Sequence, residues 1–503
     1  MKRIKTITMY LPQFHRVPEN DEWWGEGYTD WMAVKASKPL YEGHRQPRIP
    51  WNENYYDLLE KKTMIWQAGL MHQYGIDGQC FYHYYFEGGR KILEKPAENL
   101  LRWKDIDMPF CFCWDTGSWV RTWSNVPGNA WAVTFEKKGR HHGEGVLLEQ
   151  RFGDRRDWFR HFDYLFPFFV DERYIKIDGM PVFILYRPES IYCLKEMMDY
   201  WKQLARQKGL PGIYVIGSYL KYKVSGVDAI LLHSPHMFWK LKKDSTKQEL
   251  AVFEYEETWD RIIKTPPSSR CKTYYMGITD YDDTARRGKK GIVLQNFSLD
   301  KFYEYLCKLY KKSISIGNEF LFINAWNEWG EGMYLEPDNK IGYKYLEAVK
   351  MAQTELMNDN YEMAYDVSYA VDTWEMVDNV YEKSKRVNGC LGKWIMLREE
   401  KKTVESYLCQ LGVKKVAIYG IGILGRYLVE ELKDSTIEIC YLIDKELTKQ
   451  IVGYKTVNPY GELERVDAII ITVVGEFGNV CDAIKEKTDA RLIGIEEMIY
   501  ERI

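Results

Sequence analysis

Through the first two-thirds of the chain, short runs of β-branched and aromatic residues alternate with longer amphipathic segments, the rhythm of β-α units. The runs Ile4 to Leu11, Gly78 to Tyr85, Pro109 to Trp114, Val182 to Tyr186, Ile213 to Gly217, Ala229 to His233, Tyr274 to Gly277 and Phe320 to Asn324 each predict a strand. Eight such runs in this length suit a (β/α)8 TIM-type barrel, here expected over residues 1–355. Residues 356–412 lack strand signals and carry charged helical periodicity, as in Trp394-Ile395-Met396-Leu397-Arg398-Glu399, which predicts a helical connector. From Lys414 the pattern returns to strand, tight turn and helix. A strand ending at Asp444 and apolar runs from Ala468 to Val473 and Arg491 to Ile495 follow. Residues 413–503 are therefore expected to form a small Rossmann-like, doubly wound α/β domain.

Polar and aromatic residues cluster where the predicted barrel strands end: Tyr10, Gln13 and His15, then His83 and Tyr85, Trp114 and Asp115, Tyr186 and Arg187, His233 and His236, Asp280 and Asp282. Strand ends of such a barrel converge on the face that carries its active sites. Singly, each reads as a loop residue or a satisfied core group. Together they outline a candidate substrate pocket. The last strand runs into Asn327-Glu328-Trp329-Gly330-Glu331-Gly332. Glycosidic bond cleavage needs an acid at the leaving oxygen and a second carboxylate as nucleophile, base or assistant. Glu328 and Glu331, three residues apart on a tight turn, can serve one cavity. Trp326 and Trp329 are expected to wall that cavity and raise the proton affinity of one glutamate. The other reading is a salt-bridging pair on an ordinary loop.

Composition narrows the classes. At 503 residues the chain exceeds what one core supports, and 46% hydrophobic with 28% charged residues is ordinary for a globular protein. Its 70 basic residues face 73 acidic ones without a single-sign block, so nucleic acid is not an expected partner. Aromatic residues reach 15%, with 18 Trp and 38 Tyr, the flat faces that a saccharide cleft uses and that large cores use too. Ten cysteines show no C-x-x-C spacing and read as free thiols in a reducing compartment. The basic, then briefly apolar start is too short for a signal peptide, and no apolar stretch is of membrane-spanning length. A cytoplasmic location is expected. No metal-ligand spacing joins the histidines, so no metal is expected.

Phe322-Ile323-Asn324-Ala325-Trp326-Asn327-Glu328-Trp329-Gly330-Glu331-Gly332-Met333-Tyr334-Leu335-Glu336-Pro337-Asp338 resembles the signature of WbsX-type proteins of bacterial surface-polysaccharide clusters, related to glycoside hydrolase family 99. Tyr10-Leu11-Pro12-Gln13-Phe14-His15, Asn20 to Gly25, Thr29-Asp30-Trp31, Phe81 to Tyr85, Pro181 to Pro188 and Thr284-Ala285-Arg286-Arg287-Gly288 resemble that family as well, over residues 1 to about 352. The resemblance implies a retaining, endo-acting enzyme on α-mannosides that needs no cofactor. It implies that Glu328 deprotonates the sugar 2-hydroxyl, which attacks the anomeric carbon to give a 1,2-anhydro intermediate, and that Glu331 is the general acid and then base. The chain departs from the family where Trp-Ala-Asn-Glu-Asn-Trp becomes Trp114-Asp115-Thr116-Gly117-Ser118-Trp119. It departs again at Leu232-His233-Ser234-Pro235 and at Tyr281-Asp282-Asp283.

In the second domain, Gly420-x-Gly422-x-x-Gly425 follows a predicted strand and opens a helix, with Asp444 at the end of the next strand. These are candidate contacts to the pyrophosphate and ribose of a nucleotide or nucleotide sugar. The alternative is a packing or oligomerisation module. Three functions stand: a retaining hydrolase or transglycosylase on α-linked, mannose-like glycans; a glycosyltransferase of surface-polysaccharide assembly; a non-catalytic glycan-binding protein.

Overall fold

The computed structural model describes residues 3–120, 146–220, 224–239, 250–358, 387–445 and 450–502. The chain divides into two compact units, Met1–Ser368 and Tyr369–Ile503.

The first unit is a closed barrel of parallel strands β1 (Lys5–Tyr10), β2 (Gly78–Tyr85), β3 (Phe110–Trp114), β4 (Met180–Leu185), β5 (Tyr214–Ser218), β6 (Ala229–Leu232), β7 (Lys272–Ile278) and β8 (Phe320–Asn324). Each coincides with one of the eight apolar runs. Neighbours in sequence are neighbours in the sheet, and β1 pairs with both β2 (Ile7 opposite Gly78) and β8 (Lys5 opposite Phe320), which closes the ring. The strands are nearly continuous in hydrophobicity because helices cover one face and the barrel core the other. The covering helices include α1 (Lys61–Tyr74), α2 (Arg155–Phe169), α3 (Leu194–Gln207), α4 (Tyr255–Lys264), α5 (Leu299–Ser315) and α6 (Lys344–Asn358). Local chemistry sets their ends. Asp154 starts α2 in a capping box with Asp157, Ser298 accepts from Lys301 N to start α5, and Gly75 ends α1 at φ +77°.

Alternation along the strands decides which side chains see the barrel interior. On β2, His83 bonds His161 of α2 (Nε2 to Nε2, 2.8 Å) and the Tyr85 ring stacks on the same imidazole at 3.7 Å. That face is turned to the helices, so Tyr82 and Tyr84 point inward. On β3, Phe112 packs on Phe168 of α2, and Trp114 packs on His161 and Trp201. Cys111 and Cys113 take the inner face.

The second unit holds a five-stranded, all-parallel sheet of β9 (Lys415–Tyr419), β10 (Glu438–Ile443), β11 (Thr456–Val457), β12 (Ala468–Ile471) and β13 (Arg491–Gly494). Their spatial order is β11-β10-β9-β12-β13, which is five of the six strands of the classic doubly wound order. The helix over 387–399 and α7 (Val404–Gln410) pack Cys390, Trp394, Leu397, Val404 and Leu408 into the core shared with Val416, Ile418 and Leu428 of this unit. Glu431 fastens both, accepting from Trp394 Nε1 at 2.6 Å and Val404 N at 3.0 Å. Residues 387–412 of the expected connector thus pack with the second unit's core, residues 356–358 end α6 of the first unit, and residues 359–386 lie outside the described ones. Among the described residues, no helix is long and apolar enough to cross a membrane.

Candidate active site

Beyond β8 the chain folds into a tight hairpin. Asn327–Glu328 pairs antiparallel with Met333–Tyr334, and a single 3-10 turn, Trp329–Glu331, crosses its tip. Two glycines are required there. Gly332 sits at φ +62°, with Arg48 Cζ 2.8 Å from where a Cβ would lie. At Gly330 a Cβ would come within 2.4 Å of Arg286 Nε and 2.6 Å of Asp30 Oδ2.

That close approach brings in the central cation. Arg286, on the short helix Thr284–Arg287 after β7, donates from Nη1 to Glu331 Oε1 at 2.8 Å and from Nη2 to Glu328 Oε2 at 3.0 Å. Its Nε and Nη2 also grip Asp30 at 3.1 and 3.0 Å. One guanidinium therefore faces three carboxylates, all with little solvent: the side chains of Asp30, Glu328 and Arg286 are 2%, 9% and 10% exposed, and Glu331 retains 23%. Hydrogen bonds to charged groups return about 2 kcal/mol each, whereas each buried ion costs several kcal/mol. A net charge of minus two cannot be held cheaply on those terms, and burial with mutual repulsion raises the proton affinity of Glu328 and Glu331 above the ordinary carboxylate range. The pair is a coupled acid and base.

Aromatic side chains surround it. Tyr84 lies in the fields of Asp115, Glu328 and Arg286, and Tyr82 in those of Tyr186 and Glu328. Tyr186 and Tyr219 share a hydroxyl contact of 3.1 Å, Tyr219 meets His236 Nδ1 at 3.3 Å, and His236 Nε2 meets Tyr281 OH at 3.2 Å. Burial and the charges of Arg187 and Arg287 lower His236 to about 4, so it is neutral. Asp115, half-buried beside Gly117 N at 3.0 Å, is raised to about 6, by burial. Tyr82, Tyr84, Tyr219 and Tyr281 thus link the expected residues Tyr186, Asp115, Arg187 and His236 to Glu328 and Glu331.

Others expected there are turned into the fold. His83, Tyr85 and Trp114 face the helix layer, and burial lowers His83 to about 3. Asn327 accepts from Leu11 N at 2.8 Å and donates to Leu11 O at 3.0 Å, stitching the ends of β1 and β8. Tyr10 donates to Gln67, itself bonded to Glu336. Trp329 and Trp326 are buried, not cavity walls: Trp329 stacks on Tyr334 at 3.7 Å and donates to Glu336 at 2.7 Å. Asp282 is consumed by His44, Gln46 and Thr284. Gln13 and His15 are buried, and burial lowers His15 to about 4.

Asp30 and Arg286 are the residues the sequence reading did not place in the site, although both stand in the motifs that carried the resemblance. An arginine and an aspartate some 250 positions apart, at |i−j| = 256, give no local signal of meeting. Tyr82, Tyr84, Tyr219 and Tyr281 were likewise missed. Among the described residues, no group of three or more His, Cys, Asp or Glu is arranged to hold a metal ion.

In the second unit the glycine loop has its expected form. Gly420 takes φ +97°, a Cβ on Gly425 would lie 2.0 Å from Gly420 O, and space beside Gly422 is open. Asp444, however, accepts from Ile421 N at 2.8 Å, so its carboxylate braces the loop and is not simply presented to a ribose.

Known proteins resemble this chain over about two-thirds of its length. The chain is 30% identical to the uncharacterized protein WxcX of Xanthomonas campestris pv. campestris over 365 residues, 69% of this chain and 49% of that protein, in each of two strains. It thus spans about half the length of the curated relatives it matches. Among solved structures, a glycoside hydrolase-like protein is similar over 70% of this chain and 94% of its own, at 12% identity and TM-score 0.46. The GH99 endo-alpha-mannosidase of Bacteroides thetaiotaomicron is similar over 70% and 97%, at 13% identity and TM-score 0.40. The family model described as Glycosyltransferase WbsX matches residues 6–349, which takes in the hairpin, Asp30 and Arg286 alike: the chain belongs to the WbsX family.

Proposed function

We propose that this protein is a carbohydrate-active enzyme of bacterial surface-polysaccharide metabolism that works on α-linked, mannose-like glycans by retaining hydrolase or transglycosylase chemistry. The observation that carries the reading is the buried Arg286 bridge between Glu328 and Glu331, at 3.0 and 2.8 Å. It brings two carboxyl groups onto one guanidinium, and their burial, which outweighs the opposing pull of that cation, raises the proton affinity of both, so that one can act as acid while the other acts as base. Exposure supports the division of labour. Glu331, at 23% exposed, can exchange its proton with a leaving oxygen and then with water. Glu328, at 9%, sits deeper, where a base assisting the 2-hydroxyl is shielded from solvent.

The family's description as glycosyltransferase favours a second reading, transfer from a nucleotide sugar. The second unit's glycine loop would then hold the nucleotide. A glycan-binding role without turnover is the third reading, favoured by the altered segment at Asp115-Thr116-Gly117. The ten free cysteines support action in the cytoplasm.

Turnover of α-mannoside oligosaccharides by the wild type, lost by orders of magnitude in Glu331→Gln, is the expected result. Full activity in that variant sinks the hydrolase reading. Donor consumption from a nucleotide-sugar panel only with acceptor present selects the transferase, and affinity without turnover selects the binding protein.

A further inference from the structure

Arg187 follows β4 at the catalytic end of the barrel and is exposed. Arg45, Arg48, Arg286 and Arg287, which come from the loops around the same site, each hold a carboxylate: Asp338, Asp280, Glu331 and Asp283. Arg187 differs. Its guanidinium carbon lies 4.9 Å from the centre of the Tyr219 ring and 5.5 Å from that of Tyr186, and among the described residues it forms no ion pair. The two rings fix the plane of the cation, and Asp115, the acid in whose field it lies, does not close an ion pair with its fork. Tyr219 carries the geometry inward: its phenol lies in the fields of both Arg187 and Glu331. Its backbone is held at φ +60°, a left-handed conformation that costs a tyrosine roughly 1 kcal/mol and persists where surroundings demand it.

We propose that Arg187, framed by Tyr186 and Tyr219, is an anion subsite of the same cleft, and that the glycan substrate carries a carboxylate or phosphate group next to the sugar held at Glu328 and Glu331. This deepens the glycan-enzyme reading and rests on it. A guanidinium pairs both anions through two parallel N–H bonds, which a neutral sugar hydroxyl cannot match. The aromatic platform beneath it adds stacking without requiring any particular stereochemistry of the sugar.

The test is calorimetric titration of the full chain at low salt with three probes: trigalacturonate, α-mannotriose of the same length, and mannose 6-phosphate. At least one acidic probe should bind about tenfold or more tightly than mannotriose, a factor typical of one charge-assisted bidentate contact. In Arg187→Gln that preference should collapse to about twofold or less, with Arg187→Lys intermediate, and the unfolding midpoint should stay at the wild-type value because the side chain is exposed. Preference for trigalacturonate alone assigns a carboxylate, and preference for mannose 6-phosphate alone assigns a phosphate. Equal affinities in the wild type, absence of acidic-probe binding, or a preference that survives Arg187→Gln overturns the proposal. Glu331→Gln separates the two claims: it should abolish turnover yet keep the charge preference, so failure of the subsite is distinguishable from failure of the enzyme reading.

Discussion

Arg286 holds Glu331 at 2.8 Å from one terminal nitrogen and Glu328 at 3.0 Å from the other. A planar fork of this kind has no equivalent in lysine, whose single ammonium cannot span two carboxylates and Asp30 together. Arg286→Lys should therefore keep the charge but lower kcat at least a hundredfold, with a smaller effect on KM. Arg286→Met should also destabilise the barrel by about 3–5 kcal/mol, the usual consequence of stranding buried carboxylates. Steady-state kinetics and urea unfolding check the two outcomes.

The raised proton affinities of Glu328 and Glu331 place the limbs of the pH–rate profile above the roughly 4.3 of an ordinary glutamate. For stability the sign is fixed by linkage. A carboxyl whose folded-state affinity is raised binds its proton more tightly in the native protein, so its contribution is full below the unfolded value and is lost as pH rises through the raised one. The unfolding midpoint should accordingly fall on going from weakly acidic to neutral pH. Glu328→Gln and Glu331→Gln should each flatten that fall, as thermal melts across pH 4 to 8 will show.

Glu336 sits behind the site with its own linkage. Buried at 1% exposure, it accepts from Tyr56 OH and Trp329 Nε1 at 2.7 Å and from Gln67 Nε2 at 2.8 Å, and burial raises it from 4.5 to about 7. Its stabilising contribution is complete below about 4.5 and disappears as pH passes about 7, at up to about 1.4 kcal/mol per pH unit. Glu336→Leu would leave three buried donors without an acceptor, at about 1–3 kcal/mol each, and should destabilise strongly. Glu336→Gln keeps an acceptor and should lose much less, so chemical denaturation of the two variants measures the difference.

Much of this was legible in the sequence because it is local. The eight apolar runs announced eight strands, and two glutamates in a glycine-rich turn announced a carboxylate pair. What escaped was long-range or depended on parity. Asp30 and Arg286 meet across the barrel mouth. At Phe81 to Tyr85 the run is aromatic throughout, so nothing in its hydrophobicity distinguishes inward from outward positions, and the sequence points to His83 and Tyr85 where the structure turns Tyr82 and Tyr84 inward. A shift of one residue exchanges the two faces of a strand. Trp329 escaped differently: tryptophan suits a sugar platform, but its indole N–H also suits Glu336, and that bond draws it into the core.

Gly330 separates geometry from stability. Its missing Cβ leaves room for Arg286 Nε and Asp30 Oδ2, at 2.4 and 2.6 Å from where the atom would stand. Gly330→Ala must push that ion pair aside. Because the backbone there is not left-handed, the substitution should cost little conformational strain, and the displaced arginine should show as a fall in kcat of about a hundredfold, in keeping with misplacement by roughly 1 Å. Activity close to wild type would mean that the bridge does not position the glutamates.

The parity of β2 gives the cleanest contrast between site and scaffold. Tyr84 lies in the fields of Glu328, Arg286 and Asp115, so Tyr84→Phe, which removes only the hydroxyl, should lower kcat/KM by about tenfold or more and shift the pH–rate profile while leaving the melting temperature within a few degrees. His83, one position away, bonds His161 at 2.8 Å on the opposite face. His83→Phe breaks that bond and strands a buried imidazole nitrogen, which should cost about 1–3 kcal/mol. The protein that remains folded should keep wild-type activity per active site. Kinetics normalised to folded protein, paired with thermal melts, distinguish the two patterns. If His83→Phe altered the pH–rate profile and Tyr84→Phe did not, the inner face of β2 would have to be the one bearing His83.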